Sequence, residues 1–299
     1  KLSELDTSKL HYAKMADEGM QLSLGGTTSG ACLAAATEAE KDGILMITPS
    51  ASQVECCAPD NAFRICFTDP LQGAFAAQTV KDEALGTKVA VIYDKSNDYS
   101  AGVQKAFEAK AKEIGLNVVT SQAFTSQSNT DFSVQLNAVK SSGADLVFLP
   151  IYAQEAAYVL TQAEKMPGLD VQFLGSDGLD GVIEKAGAAN VAALENVLLV
   201  TPFYADEESA FVKAYKDAYN AVPDQFAADA YDAVYAIKAA MEKSGAVPTD
   251  SDFNDKMIAA MTEITVEGTT GKMTWDASGE PNKAASLVKI VGGVYQLYE

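Results

Sequence analysis

Residues 25–52 read GGTTSGACLAAATEAEKDGILMITPSAS, and the rest of the chain is organised around them. The stretch begins where a short apolar run, residues 20–24, ends. It passes through a Gly/Thr/Ser turn, continues as an alanine-rich helical pattern, and returns as a second apolar run over 44–48. This pattern predicts a βαβ unit. Both strand ends open into small hydroxyl residues: Thr27, Thr28 and Ser29 after the first, Ser50 and Ser52 after the second. In an open α/β sheet, ligands bind beyond the carboxyl ends of the strands, where a helix N-terminus offers free N–H groups and a positive dipole end. The expectation is a small anion cradle that uses no lysine.

Outward from this unit, strand-like runs recur at 63–67, 88–93, 117–120, 145–150, 171–175 and 197–201, with helical patterns between most of them. That rhythm predicts parallel α/β architecture. Val103, Phe107, Ala111 and Ile114 share one helix face; Phe132, Leu136 and Val139 do the same after Thr130 and Asp131, which read as an N-cap. Past residue 201 the rhythm changes to three successive helices, 207–220, 225–244 and 251–263. The end is β-rich over 271–275, 286–291 and 294–298, with Gly292 and Gly293 as a hairpin turn. Short segments near 68–70, 201–202 and 269–271 are the best places for the chain to pass between two lobes. The expected division is residues 1–69 with 202–270, and 70–201 with 271–299. Three crossings suit a hinge that closes on a ligand.

Length and composition agree with this plan. With 299 residues and 48% hydrophobic composition, the chain can bury a core in each of about two domains. Its net charge of −19 argues against nucleic acid or an anionic membrane surface as a partner. No apolar run approaches the roughly 18 residues that a membrane-spanning helix requires. Cys32, Cys56, Cys57 and Cys66 have neither CxxC spacing nor a nearby histidine, which disfavours a zinc site. Buried thiols are the leading reading over a single disulfide, and cysteine usage leaves the redox compartment open.

Other motifs fail on spacing. Residues 25–30 lack GxGxxG, and no GxxxxGK[ST] loop is present. Asp94, Ser96 and Asp98 imitate the start of a calcium loop, but Tyr99 stands at its glycine position and Lys105 at its final glutamate. This is a strand-to-helix turn. The single histidine, His11, is far from any serine or cysteine constellation, so histidine-dependent hydrolase chemistry is disfavoured. No cofactor, metal site or catalytic set is expected.

The remaining candidates sit at strand ends, and each has an ordinary alternative. Ser29, taken alone, reads first as a helix N-cap, and Ser50 and Ser52 are equally turn formers. Tyr99 and Tyr152 are equally packing residues, and Asp177 a turn aspartate. Their convergence favours a ligand: hydroxyl donors on one lobe, and rings with one carboxylate on the other, fit a zwitterion with a modest side chain.

Residues 26–30 (GTTSG), 44–52 (ILMITPSAS), Phe63 and Arg64 with Asp69, Gln72 and Gly73, Asp131 and Phe132, and Tyr231 to Ala233 together resemble the leucine/isoleucine/valine-binding proteins. These are type I periplasmic solute-binding proteins of ABC importers. The resemblance covers nearly the whole chain in order. It implies an α/β fold of two Rossmann-like lobes with a three-segment hinge, and a small, aliphatic or branched-chain amino acid captured between closing lobes. It also implies a monomer that works outside the cytoplasm, in the periplasm or lipid-anchored at the outer face, and delivers to a membrane permease. By position, Ser29 and Ser52 resemble hydroxyl donors to the ligand α-carboxylate, joined by a backbone N–H at Ser52 and with Ala51 beside them. The Ser50 carbonyl and the Asp177 carboxylate resemble acceptors for the α-ammonium. Tyr99 and Tyr152 resemble rings that close over the ligand, and Phe226 resembles a residue that lines the side-chain pocket. Ser52 stands where threonine is common, and Asp177 where some members have glutamate. The family normally opens with a strand, a helix and a second strand before the segment that opens this sequence, so the chain is expected to lack that first β-α-β segment. A ligand-sensing domain of the same fold is the alternative function.

Overall fold

The computed structural model describes residues 4–298; residues 1–3, at the start of the first expected lobe, and residue 299, at the end of the second, lie outside the described residues. In chain order the elements begin α1 (Glu4–Asp17), β1 (Ser23–Leu24), α2 (Ser29–Asp42), β2 (Met46–Thr48), β3 (Ala62–Arg64), α3 (Asp69–Asp82), β4 (Lys88–Asp94) and α4 (Asp98–Ile114). They continue β5 (Asn117–Phe124), α5 (Ser133–Ser142), β6 (Leu146–Leu149), α6 (Ala153–Glu164), β7 (Gln172–Gly175), α7 (Val182–Ala186) and β8 (Leu198–Thr201). The last are α8 (Ala210–Tyr219), α9 (Gln225–Ser244), α10 (Phe253–Met261), β9 (Thr265–Gly268), β10 (Gly271–Thr274), β11 (Ser286–Val291) and β12 (Val294–Leu297). Helix α9 fills the span expected of it because Asp224 caps it, accepting from the Ala227 N–H at 2.8 Å, and Gly245 ends it.

The chain divides into a first unit, Lys1–Thr68 with Ala205–Ala284, and a second, Asp69–Tyr204 with Ala285–Glu299. The third division falls later than residue 270. Residues 271–284 stay with the first unit because β10 pairs antiparallel with β9 and the Trp275 indole N–H donates to the Arg64 carbonyl at 2.6 Å. Strand β9 itself was not expected from the sequence.

In the first unit β1, β2 and β3 form a parallel sheet in that order. Alternation along the strands sends side chains to both faces. Leu45, Ile47, Phe63 and Ile65 pack with residues of α9 and α10, whereas Met46 and Ala62 pack with Tyr12, Cys32 and the alanines of α2. The small alanine side chains let α2 lie close to the sheet. All four cysteines are buried thiols without a disulfide, and burial pushes the Cys57 thiol up to about 12. A thiol reagent should therefore label none of the four in the native protein and all four after unfolding. Rapid labelling before unfolding would contradict this packing.

The second unit has a seven-stranded sheet in the order β12-β11-β8-β7-β6-β4-β5. Strands β4 to β8 run parallel, and β11 and β12 add an antiparallel edge turned by Gly292 and Gly293, both with positive φ. One face buries Ile92, Val147, Leu149 and Leu199 with Leu136, Val139 and Leu160 of α5 and α6. Phe107 and Phe148 stack with ring centroids 4.2 Å apart, and both are fully buried. Strand β5 lies on one side of β4 and β6 on the other, so the strand order reverses at β4. Such a switch point leaves a crevice at the carboxyl ends of the two flanking strands, the usual place for a ligand in an open α/β sheet.

Candidate functional site

In the first unit the candidate residues occupy the loops after β1 and β2. The turn before α2 is tight: Gly26 has φ +74°, and a Cβ there would lie 2.5 Å from the Cys32 Cα, so only glycine fits. Thr28, not Ser29, is the N-cap of α2, and Ser29 is the first helical residue. Its Oγ accepts from the Gln53 N–H at 3.3 Å, which ties the helix start to the loop after β2. The N-cap position, the ordinary alternative for Ser29, is thus held by Thr28, whose side chain makes no capping hydrogen bond. Ser50 Oγ donates to the Thr27 carbonyl at 3.0 Å, and Thr48 Oγ1 donates to the Gly26 carbonyl at 2.7 Å. Ser29, Ser50, Ala51 and Ser52 are all buried; Phe226, in the first turn of α9, is half-buried.

Two neighbouring peptide groups in this loop are held from behind. The Ala51 N–H donates to Thr48 Oγ1 at 3.1 Å. In a planar trans peptide the carbonyl points opposite to the N–H, so the Ser50 carbonyl is directed away from Thr48. The Ala51 carbonyl accepts from the Arg64 guanidinium, so the Ser52 N–H is directed away from Arg64. The loop therefore presents an acceptor and a donor from consecutive peptides, next to a helix N-terminus. This arrangement is complementary to an α-ammonium and an α-carboxylate carried on one carbon.

In the second unit Tyr99 follows β4, Tyr152 follows β6 and Asp177 follows β7, all at the carboxyl ends of parallel strands and the first two flanking the switch point. Tyr99 is buried, and its hydroxyl donates to Asp177 Oδ1 at 2.6 Å. It also meets Ser176 Oγ at 2.6 Å and accepts from the Gly178 N–H at 2.8 Å. Burial, reinforced by the adjacent Asp177 charge, raises the Tyr99 pKa well above its ordinary value, so the phenol stays a neutral donor. The Tyr152 ring stacks on the Tyr99 ring at 4.9 Å and is itself half-buried. The Asp177 N–H donates to Gln72 Oε1 at 3.3 Å. Tyr99, expected as a ring over the ligand, is thus built into the support of Asp177, and Tyr152 is the more accessible ring.

Sequence reasoning gave no role to Arg64, Thr48, Ser176 or Gln72. The available signal was Arg64 inside the apolar run FRICF, where a cation needs buried acceptors. The turn at Asp94 is the expected strand-to-helix connection: Asp94 Oδ1 accepts from the Ser96 N–H at 2.8 Å and its hydroxyl at 2.6 Å, and Asn97 caps α4. Two open surface depressions, of about 500 Å³ beside Lys140 and Gln162 and about 330 Å³ beside Pro59 and Ile258, are lined by none of the candidate residues. Among the described residues no helix is long and apolar enough to cross a membrane.

The chain is 28% identical over 273 residues to a leucine-, isoleucine-, valine-, threonine-, and alanine-binding protein of Pseudomonas aeruginosa, covering 89% of this chain and 70% of that one. It is 27% identical over 271 residues to a Leu/Ile/Val-binding protein of Escherichia coli, covering 89% and 71%. Among solved structures, the leucine binding protein LivK of Thermotoga maritima matches with a TM-score of 0.90 at 28% identity, over 99% of this chain and 84% of that one. LivJ of Streptococcus pneumoniae, a branched-chain amino acid transporter substrate binding protein in complex with isoleucine, matches with a TM-score of 0.87 at 27% identity, over 98% and 83%. The fold is thus that of the type I periplasmic binding proteins. The periplasmic binding protein family model matches residues 4–293, nearly the whole described length, and the chain belongs to that family.

Proposed function

We propose that this protein is the extracytoplasmic solute-binding component of an ABC importer, and that its ligand is a small aliphatic amino acid of the branched-chain class. The observation that carries this reading is the pair of adjacent peptides at 50–52, fixed from behind by Thr48 and Arg64. In the proposed complex, Ser29 and Ser52 donate to the α-carboxylate together with the Ser52 N–H. The Ser50 carbonyl and Asp177 accept from the α-ammonium, with Ala51 alongside, and Tyr152 and Phe226 face the side chain. Charge-assisted hydrogen bonds of about 1.5–3 kcal/mol each, four or five in number, are enough for micromolar binding after ordering costs. The names of the relatives, which bind leucine, isoleucine, valine and in some cases threonine or alanine, support this ligand class. The proposed protein binds without turnover, acts as a monomer, and hands its ligand to a membrane permease.

The test is calorimetry and thermal unfolding of ligand-stripped protein with leucine, isoleucine, valine, threonine and alanine. A ligand present at about a hundred times its Kd should stabilise the protein by about 2.7 kcal/mol. Ser29→Ala should weaken leucine binding by about 1.5 kcal/mol, roughly tenfold, without lowering the melting temperature of the ligand-free protein by more than a few degrees. Absence of binding by every amino acid would refute the ligand class. Undiminished affinity in Ser29→Ala would remove Ser29 from the site.

A further inference from the structure

The first unit holds one guanidinium that is wholly withdrawn from solvent. Arg64 ends β3 with its side chain 0% exposed. Its Nε and Nη2 donate to the two carboxylate oxygens of Glu280 at 2.7 and 2.9 Å. The remaining donors reach back to the loop after β2: Nη1 to the Ala51 carbonyl, and Nη2 to the Gln53 carbonyl at 2.8 Å. The backbone fixes the base of this arrangement, since the Arg64 N–H donates to the Gly279 carbonyl at 3.0 Å and the Arg64 carbonyl accepts from Trp275. A buried cation with this many aligned acceptors does more than fill space, because a hydrophobic side chain of similar volume would satisfy packing at lower desolvation cost.

We propose that Arg64, oriented by Glu280, is a positioning residue that sets the direction and donor strength of the Ser52 peptide N–H, and through it the selectivity of the loop for a carboxylate. The inference rests on the amino-acid reading given above. Its physical basis is the peptide plane. A cation bound at the Ala51 oxygen fixes that plane and draws electron density toward the oxygen, which makes the N–H on its far side a stronger donor. The positive charge thus acts on a bound carboxylate through one peptide group, without the guanidinium touching the ligand. The cradle expected from the sequence to operate without a lysine has its cation one layer behind. Lysine is a poor substitute, since a single ammonium cannot span the two carbonyls and the carboxylate that the planar fork reaches together.

Three variants test this: Arg64→Lys, Arg64→Met, and the double variant R64M/E280L, which avoids stranding the Glu280 carboxylate. Each is compared with wild type by amide hydrogen exchange of the ligand-free protein and by titration with leucine and with leucinol, which replaces the carboxylate by a hydroxymethyl group. Exchange across residues 49–53 should quicken by about tenfold or more in R64M and R64M/E280L. Leucine affinity should fall by about tenfold or more while leucinol affinity changes little, so that the preference for leucine contracts. Arg64→Lys should recover part of that preference, because it keeps the charge. Unchanged exchange in a folded variant overturns the positioning role whatever the ligand. Equal losses for leucine and leucinol overturn the carboxylate selectivity. If wild-type protein binds neither compound, the amino-acid reading has failed and takes the selectivity with it, and the exchange data still decide the positioning role.

Discussion

Replacing Asp177 by asparagine is expected to lower leucine affinity by at least about 2 kcal/mol, roughly thirtyfold. The substitution keeps the shape of the side chain and removes its charge. Asp177 is buried, its Oδ1 is held by the Tyr99 hydroxyl, and its backbone N–H is held by Gln72, so the carboxylate has little freedom to be anything but a fixed acceptor. A bound ammonium would then face a neutral amide within a desolvated site, which is where the loss of one charged partner costs most. The diagnostic comparison is calorimetric titration with leucine and with its 2-hydroxy analogue, which carries no ammonium. Wild-type protein should discriminate strongly between them, and Asp177→Asn should erase most of the difference by weakening leucine. Retained discrimination would show that the ammonium is received elsewhere. Tyr99→Phe should produce a smaller change in the same direction, since it frees the carboxylate to turn without removing it.

The largest effect on stability is expected from Phe107→Ala. Phe107 of α4 and Phe148 of β6 are fully buried and stacked at 4.2 Å with an interplanar angle of 18°. Removing one ring deletes apolar contact on both sides and leaves a cavity between a helix and a central strand that cannot both move to fill it. The cost of such a truncation is about 3–5 kcal/mol. Urea unfolding followed by circular dichroism should show a lowered midpoint at similar slope, with Phe107→Leu losing much less. A change below about 1 kcal/mol in Phe107→Ala would mean that α4 closes onto the sheet more readily than its packing indicates.

Much of the fold was legible because it rests on local pattern. Parallel strands with apolar runs, helices with a caps-and-glycine punctuation, and the Gly292–Gly293 turn each carry their signal within a few residues, as α9 illustrates. What escaped depended on distant partners. Strand β9, with the sequence TVEG, has only Val266 buried and exists through its pairing with β10. For the same reason the third division was placed about a dozen residues early: the Trp275 bond to Arg64 spans most of the chain and leaves no local trace. The candidate site divides similarly. Strand-end hydroxyls and the Asp177 turn can be read directly, whereas the support by Thr48, Arg64, Ser176 and Gln72 becomes visible only when the loops are brought together.

The discontinuous first unit also constrains how the chain acquires its structure during synthesis. The face of its sheet formed by Leu45, Ile47, Phe63 and Ile65 is covered by α9 and α10, and the whole of Asp69–Tyr204 is made before those helices. Until the ribosome has passed Met261, this apolar strand face has no partner within its own unit. The parallel core strands of the second unit, by contrast, are complete by Thr201. The order of synthesis thus lets the parallel strands of the second unit pair before that face is covered, with β11 and β12 added last. The earlier segment waits as an adhesive surface, and that interval is when a holdase has most to protect.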